Sequence, residues 1–296
     1  MHCVGPKRTT HEAVLFIHGA SFPTMLAAGF EFQGDDSWLD FAAKHGKLAC
    51  GLDFLGYGAS TRPEAMSEPP DGVAPLVRAP EAAREISAAA AYLGKQAGIT
   101  RLHLIAHSWG TIPAAMYAAS QPKILASLIL FGPIVPVPGY REKAVDFAWW
   151  SITAQQRERQ LRFMDLLPPK LHLLETAVDR KWASEFAKSQ PGGSGDVGDT
   201  LRIPAGCIAD IHDAKAGKYP YHQSDVTVPV FVVYGDYDDE ADDAGAKAFL
   251  AKFTASPLKW RLQVDHGTHV MHLERNRWSL YQSAAAFMTL SSEPGQ

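Results

Sequence analysis

Cysteine is scarce in this 296-residue chain, and so are long hydrophobic runs and blocks of like charge. The three cysteines, Cys3, Cys50 and Cys207, are odd in number and widely spaced, with no C-x-x-C pair. That pattern argues against a disulfide framework and a zinc knuckle, and all three are expected to be buried or incidental thiols. There is no H-E-x-x-H string and no Cys/His cluster, so neither a metal nor another cofactor is expected. The longest apolar stretch, Ile124 to Val137, is broken by Ser127, Gly132, Pro133 and Pro136 and is too short to span a bilayer. Met1 to Arg8 shows no basic segment leading into an apolar one; no signal peptide is read there, and the expected location is the cytoplasm. Lys and Arg number 28 against 32 Asp and Glu, scattered and without a basic run, which disfavours binding to phosphate backbones or anionic lipid. Nucleic acid and membrane are therefore not expected partners. A small-molecule substrate is, with a homodimer open as an alternative to a monomer.

What is present is an ordinary globular composition, 46% hydrophobic and 20% charged, in a chain long enough for one large α/β domain with an inserted subdomain or for two ordinary domains. Ala13 to Ile17, Lys47 to Asp53, Leu102 to Ile105, Leu125 to Phe131 and Val228 to Tyr234 are short and largely apolar, and Lys259 to Val264 reads as a further strand. Helical spacings alternate with them: a helix capped by Asp36 or Ser37, then Pro80 to Gly94, Ile112 to Ala119, Ala244 to Phe253, and a last one through Trp278, Leu280, Tyr281 and Phe287. Strands apolar throughout, alternating with helices, imply an α/β fold: a mostly parallel, doubly wound sheet covered on both faces. The alternation stops between about Pro133 and Asp225. Helical patterns there (Val145, Trp149, Ile152; Leu161, Met164, Leu167; Leu174, Val178, Trp182, Phe186) and the breaker cluster Pro191-Gly192-Gly193-Ser194-Gly195 read as a helical insertion. The expected division is a core of residues 1–133 and 227–296 with an inserted unit of 134–226.

The chemistry centres on Ala106-His107-Ser108-Trp109-Gly110-Thr111, between a strand and a helix. A serine on a sharp strand-to-helix turn needs small residues two before and two after it, and Ala106 and Gly110 meet that need. A serine hydroxyl is a poor nucleophile without a base, and the base is oriented by a carboxylate. Both appear downstream at strand ends. One strand runs into Gly235-Asp236-Tyr237-Asp238-Asp239, and the next runs into Asp265-His266-Gly267-Thr268-His269, followed by His272-Leu273-Glu274.

Taken in order with His18-Gly19 after an early strand and the turn Asp53 to Ser60, these motifs resemble the α/β-hydrolase fold family over nearly the whole chain. The resemblance implies an α/β-hydrolase sheet with a helical cap, Ser108 as nucleophile, Asp238 as acid and His269 as base. Asp236 and Asp239 are the runners-up for the acid, and His266 for the base. Thr268 departs from the glycine the family usually places before its histidine. The resemblance further implies an oxyanion hole from the backbone N–H groups of Ala20 and Trp109, with the Trp109 indole shaping the pocket. Ser21, Phe22, His107, Trp149 and Trp150 are the candidate pocket residues, and the apolar loop from Ala20 to Phe32 is expected to wall an apolar pocket together with the cap. The implied reaction is hydrolysis of an ester, thioester or lactone through an acyl-enzyme. Alternatives are an amide hydrolase similar to proline iminopeptidases, a carbon–carbon bond hydrolase, and a ligand-binding protein on the same fold.

Overall fold

The computed structural model describes residues 1–141, 144–163, 166–190 and 193–292. Its centre is a seven-stranded sheet in the order β1-β3-β2-β4-β5-β8-β9. These strands are β1 (His2–Val4), β2 (Glu12–Ile17), β3 (Leu48–Leu52), β4 (Arg101–His107), β5 (Leu125–Phe131), β8 (Val230–Tyr237) and β9 (Lys259–Thr268). Only the β1–β3 pair is antiparallel. The inner strands are apolar on both faces because alternate side chains point to opposite sides of a sheet that is covered on both. Leu15, Leu104, Leu130 and Val232 enter one core with α2 (Ala79–Gln96), α3 (Thr111–Ala119) and α7 (Asp243–Ala251). Phe16, Ile105, Ile129 and Phe231 enter the other with α1 (Trp38–Lys44) and α8 (Arg277–Ser292). Of the two proposed caps for α1, Ser37 takes the place: its hydroxyl accepts from the Asp40 N–H and Asp40 reciprocates, whereas Asp36 accepts from the N–H groups of Phe32 and Gln33.

The strand order reverses between β2 and β4. Chains leaving those two neighbours diverge, which opens a crevice at their carboxyl ends, the usual place for a ligand in such sheets.

Between β5 and β8 lie β6 (Trp149–Thr153), α4 (Ala154–Leu161), α5 (Thr176–Lys188), β7 (Thr200–Pro204) and α6 (Gly206–Lys215). The segment is not purely helical. Val145, Trp149 and Ile152 have helical spacing, yet Trp149–Thr153 pairs antiparallel with Thr200–Pro204. The aromatic and β-branched run Trp-Trp-Ser-Ile-Thr favours a strand once a partner is supplied, and the partner lies some fifty residues further on, where local periodicity cannot see it. The α5 pattern does form: Val178, Trp182 and Phe186 are buried, and the Trp182 indole N–H donates to the Leu26 carbonyl at 2.8 Å, tying α5 to the loop after β2. Met164, Pro191 and Gly192, which belong to the expected patterns, lie outside the described residues. Among the described residues no helix is long and apolar enough to cross a membrane.

The expectation of three unpaired thiols is corrected for two of them. Cys3 and Cys50 are register partners in the β1–β3 ladder and form a disulfide, while Cys207 is buried and free. Wide spacing hides such a pair, because only the sheet brings residues separated by 47 positions face to face. Closing a loop of that length restricts the unfolded chain, and reduction is expected to cost about 2–4 kcal/mol of stability. Urea unfolding with and without dithiothreitol checks this; an unchanged midpoint would mean that the bridge stabilises nothing.

Candidate active site

β4 delivers the chain to Ser108, whose φ of +54° lies in the left-handed region. For a residue with a Cβ that conformation is strained by roughly 1–2 kcal/mol. The surroundings hold it. The Thr111 hydroxyl donates to the Ser108 carbonyl at 2.6 Å. A Cβ on Gly110 would stand 2.2 Å from the His18 carbonyl oxygen, so only glycine lets the turn approach β2 this closely. A Cβ on Gly19 would come within 2.8 Å of the Ser108 Cβ, so the His18-Gly19 turn lies directly against the serine. His18 is buried and neutral: burial lowers its pKa against the pull of Asp53. Its Nδ1–H donates to the Gly19 carbonyl at 2.7 Å, and its Nε2 accepts from the Phe54 N–H at 3.2 Å, which ties together the turns after β2 and β3.

From the ends of β8 and β9 come the other two groups. His269 Nε2 lies 2.7 Å from Ser108 Oγ, and His269 Nδ1 lies 2.9 Å from Asp238 Oδ1. All three side chains are buried. The same Asp238 oxygen accepts from the Glu240 N–H at 2.9 Å. Gly132, at φ +53°, passes so close that a Cβ there would lie 2.9 Å from both Asp238 Oδ2 and His269 Nδ1. Burial disfavours the imidazolium, but the Asp238 carboxylate and its hydrogen bond, with Glu240 and Asp239 behind them, outweigh it and raise the His269 pKa to about 9.

The runners-up do not meet Ser108. His266 is exposed, with its carbonyl held by the Asn276 amide. Asp236 accepts from the Gly267 N–H at 3.0 Å. Asp239 is exposed and lines the cavity beside Ser108. Thr268, the departure beside the histidine, has work of its own: its N–H and hydroxyl donate to the two oxygens of buried Glu274, at 3.0 and 2.5 Å. His107 braces the same loop, with Nε2 donating to the His269 carbonyl at 2.7 Å. Burial keeps His107 neutral and holds His272 down to about 3. Among the described residues Asp238, Asp239 and His269 hold donor atoms within 4.8 Å of one another, but two of these are already bonded to each other.

The cavity holds about 520 Å³. Ala20, Phe22, His107, Ser108 and His269 line it, together with Arg157, Gln160 and Phe163 from α4 and the residues after it. Other expectations are corrected. Trp149 donates its indole N–H to the Glu68 carbonyl under the guanidinium of Arg202, and Trp150 packs half-buried on the core; neither lines the cavity. Ser21 is buried, with φ +75°, and does not line it. The Trp109 indole turns away into the core, where Nε1–H donates to Asp210 Oδ2 at 2.9 Å. Of the loop expected to form a wall, only Ala20 and Phe22 reach the cavity; Leu26 and Phe30 pack into the core instead. The lining is of mixed polarity, because Arg157, Arg159, Gln160, Asp239 and Glu240 share it with the apolar side chains.

Sequence reasoning missed Asp210 and Arg157. Asp210, on α6, also accepts from the Ala79 N–H at 2.7 Å and pairs with Arg78, which joins α6 to α2 and, through Trp109, to the turn that holds Ser108. No local pattern marks either residue, since both act across elements distant in sequence.

A mostly parallel sheet that carries a serine on a strained strand-to-helix turn, with a histidine and an aspartate from the ends of two later strands, has the layout of an α/β-hydrolase. The chain belongs to that family: the model of the alpha/beta hydrolase fold matches residues 12–276. Solved structures of similar fold include a monoacylglycerol lipase of Paleococcus ferrophilus (14% identity, TM-score 0.62, covering 98% of each chain). An esterase of Exiguobacterium antarcticum is 18% identical, with TM-score 0.62, over 97% of this chain and 94% of that one. MenH from S. aureus is 15% identical, with TM-score 0.61, over 99% of this chain and 98% of that one. No curated protein matches the sequence.

Proposed function

We propose that this protein is a serine hydrolase that cleaves an ester, thioester or lactone of a small molecule through an acyl-enzyme. The observation that carries the reading is the unbroken hydrogen-bonded series Ser108 Oγ, His269 and Asp238, buried at one end of a cavity of about 520 Å³, a size suited to a small molecule. His269 takes the serine proton as Ser108 attacks the carbonyl, and Asp238 holds the imidazole tautomer and stabilises its charge. The N–H groups of Ala20, which lines the cavity, and of Trp109, next to Ser108, receive the developing oxyanion. His269 then returns its proton to the leaving group, and water repeats the sequence to free the acid. Residues 134–226 act as a cap, since Arg157, Phe163 and Ile211 from that segment roof the cavity. The solved structures of similar fold include a lipase and an esterase, which supports the ester class. The Cys3–Cys50 bridge favours an oxidising compartment over the cytoplasm expected from the sequence.

Labelling by a fluorophosphonate probe at Ser108, joined to a turnover screen of p-nitrophenyl esters, thioesters and lactones, tests the reading; an unlabelled wild type would overturn it. The base must be neutral to act, and His269 is raised to about 9, so kcat/KM is expected to climb about tenfold per pH unit below that value and to level off above it. Asp239→Asn removes a negative charge that favours the imidazolium, so it should move this limb to lower pH. A limb that stays in place would remove Asp239 from the electrostatics of the site.

A further inference from the structure

The cavity beside Ser108 holds an imbalance of charge that the serine chemistry does not use. Arg157, Arg159, Asp239 and Glu240 all line it. Glu240 forms an ion pair with Lys215 at 2.8 Å, and Lys215 is not part of the lining. Arg157 has no carboxylate within ion-pair distance among the described residues. Its Nη1 donates to the Gln160 side-chain oxygen at 2.8 Å, and its Cζ stands 5.5 Å from the centre of the buried Phe22 ring. Its Nε is enclosed without a hydrogen-bond partner. Gln160 and Phe22 thus hold the guanidinium from two sides, and among the described residues no hydrogen bond takes up Nη2. Arg159 likewise makes no ion pair among the described residues. Among the described residues of the lining, the acid left facing the two arginines besides the Lys215-paired Glu240 is Asp239, exposed and beyond ion-pair reach.

An enclosed donor on a charged group is costly when it stays unpaired, and the free edge of a guanidinium has the spacing of a carboxylate's two oxygens. Burial lowers the Arg157 pKa to about 10 against the pull of Asp239, which leaves the side chain charged at neutral pH. A charged, oriented and unpaired guanidinium in the cavity that holds the nucleophile is a subsite awaiting an anion.

We propose that the substrate carries a carboxylate in addition to the scissile bond, and that Arg157 selects it through the guanidinium edge that Gln160 leaves free. The inference rests on the serine hydrolase reading for the position of the scissile bond, and it names the substrate class. Arg159, at the same cavity, adds attraction without fixed geometry.

The test compares p-nitrophenyl hexanoate with two charged esters of the same reach: p-nitrophenyl hemiadipate, charged on the acyl side, and the hexanoate of a carboxylated nitrophenol, charged on the leaving group. The wild type is expected to prefer one charged ester by roughly tenfold or more in kcat/KM, and Arg157→Gln to lower that preference by about 10- to 100-fold. Arg157→Lys should restore part of it, and Arg84→Gln, an exposed charge on α2, should leave it unchanged. Wild-type ratios near one for both charged esters, or a preference that survives Arg157→Gln, would overturn the proposal. A second arm needs no turnover: calorimetry of monomethyl adipate on Ser108→Ala should show binding that Ser108→Ala/Arg157→Gln lacks. If fluorophosphonate fails to label the wild type, the hydrolase reading falls, and calorimetry still decides the carboxylate site. Labelling without calorimetric binding or ester preference leaves the hydrolase reading standing and removes the carboxylate.

Discussion

Ser108→Ala is expected to abolish fluorophosphonate labelling and to lower kcat by ~10⁴- to 10⁶-fold, leaving only what binding and the backbone donors supply. The fold should survive, because Ser108 Oγ makes one hydrogen bond, to His269, and the turn is held by Thr111 and by the close approach of Gly110 to His18. Ser108→Gly separates chemistry from strain. It is equally inactive, yet glycine takes the φ of +54° without penalty, so it should be more stable than the alanine variant by about 1 kcal/mol. Chemical denaturation of both variants reads that difference. Turnover in Ser108→Ala within tenfold of wild type would mean that another group attacks.

Asp238→Asn is expected to lower kcat by about 10⁴-fold. The substituted amide keeps the volume and one hydrogen bond, but its NH₂ facing His269 Nδ1 would favour the tautomer that protonates Nε2, the atom that must accept from Ser108. The charge that raises His269 would also be gone. Burial is then opposed only by the more distant Glu240 and Asp239, and the acidic limb of the residual activity should move from about 9 to lower pH. Both readouts are needed: a lower rate with an unmoved limb would point to a packing defect, and an unchanged rate would pass the role of acid to Asp239 or Glu240.

The motifs legible in sequence are those in which one short segment both forms an element and carries the chemistry. Ala106 to Thr111 shows the strand-to-helix serine turn because the demand for small neighbours is local, and Gly110 meets the His18 carbonyl as that demand requires. Strand ends brought the Asp236 to Asp239 and His266 to His269 stretches to notice, because a parallel sheet gathers such ends on one edge, and the family resemblance chose Asp238 and His269 among them. Thr268 shows where pattern is weaker than geometry: a residue that departs from the family's glycine is accommodated because its hydroxyl and N–H are both used on Glu274.

The pocket was far less legible. Trp149 and Trp150 have the size and polarity of pocket residues, but β7 recruits their segment into a ladder away from the cavity. Arg157 sits on a surface-like helix, Ala-Gln-Gln-Arg-Glu-Arg-Gln-Leu, whose composition reads as solvated, and only the docking of α4 over Phe22 turns it inward. The Cys3–Cys50 bridge was hidden for the same reason, since sheet pairing and not spacing brings the two sulfurs together.

By itself, the sequence determined the doubly wound sheet, the strained serine turn and the order in which acid and base follow it. These depend on side-chain periodicity and on steric needs felt within a few residues. The tertiary structure alone decided which aspartate and which histidine reach Ser108, where the indoles of Trp109, Trp149 and Trp150 go, and that an unpaired guanidinium faces the cavity. Those are contacts between segments tens to over a hundred residues apart, and their energies depend on the burial and geometry that packing creates.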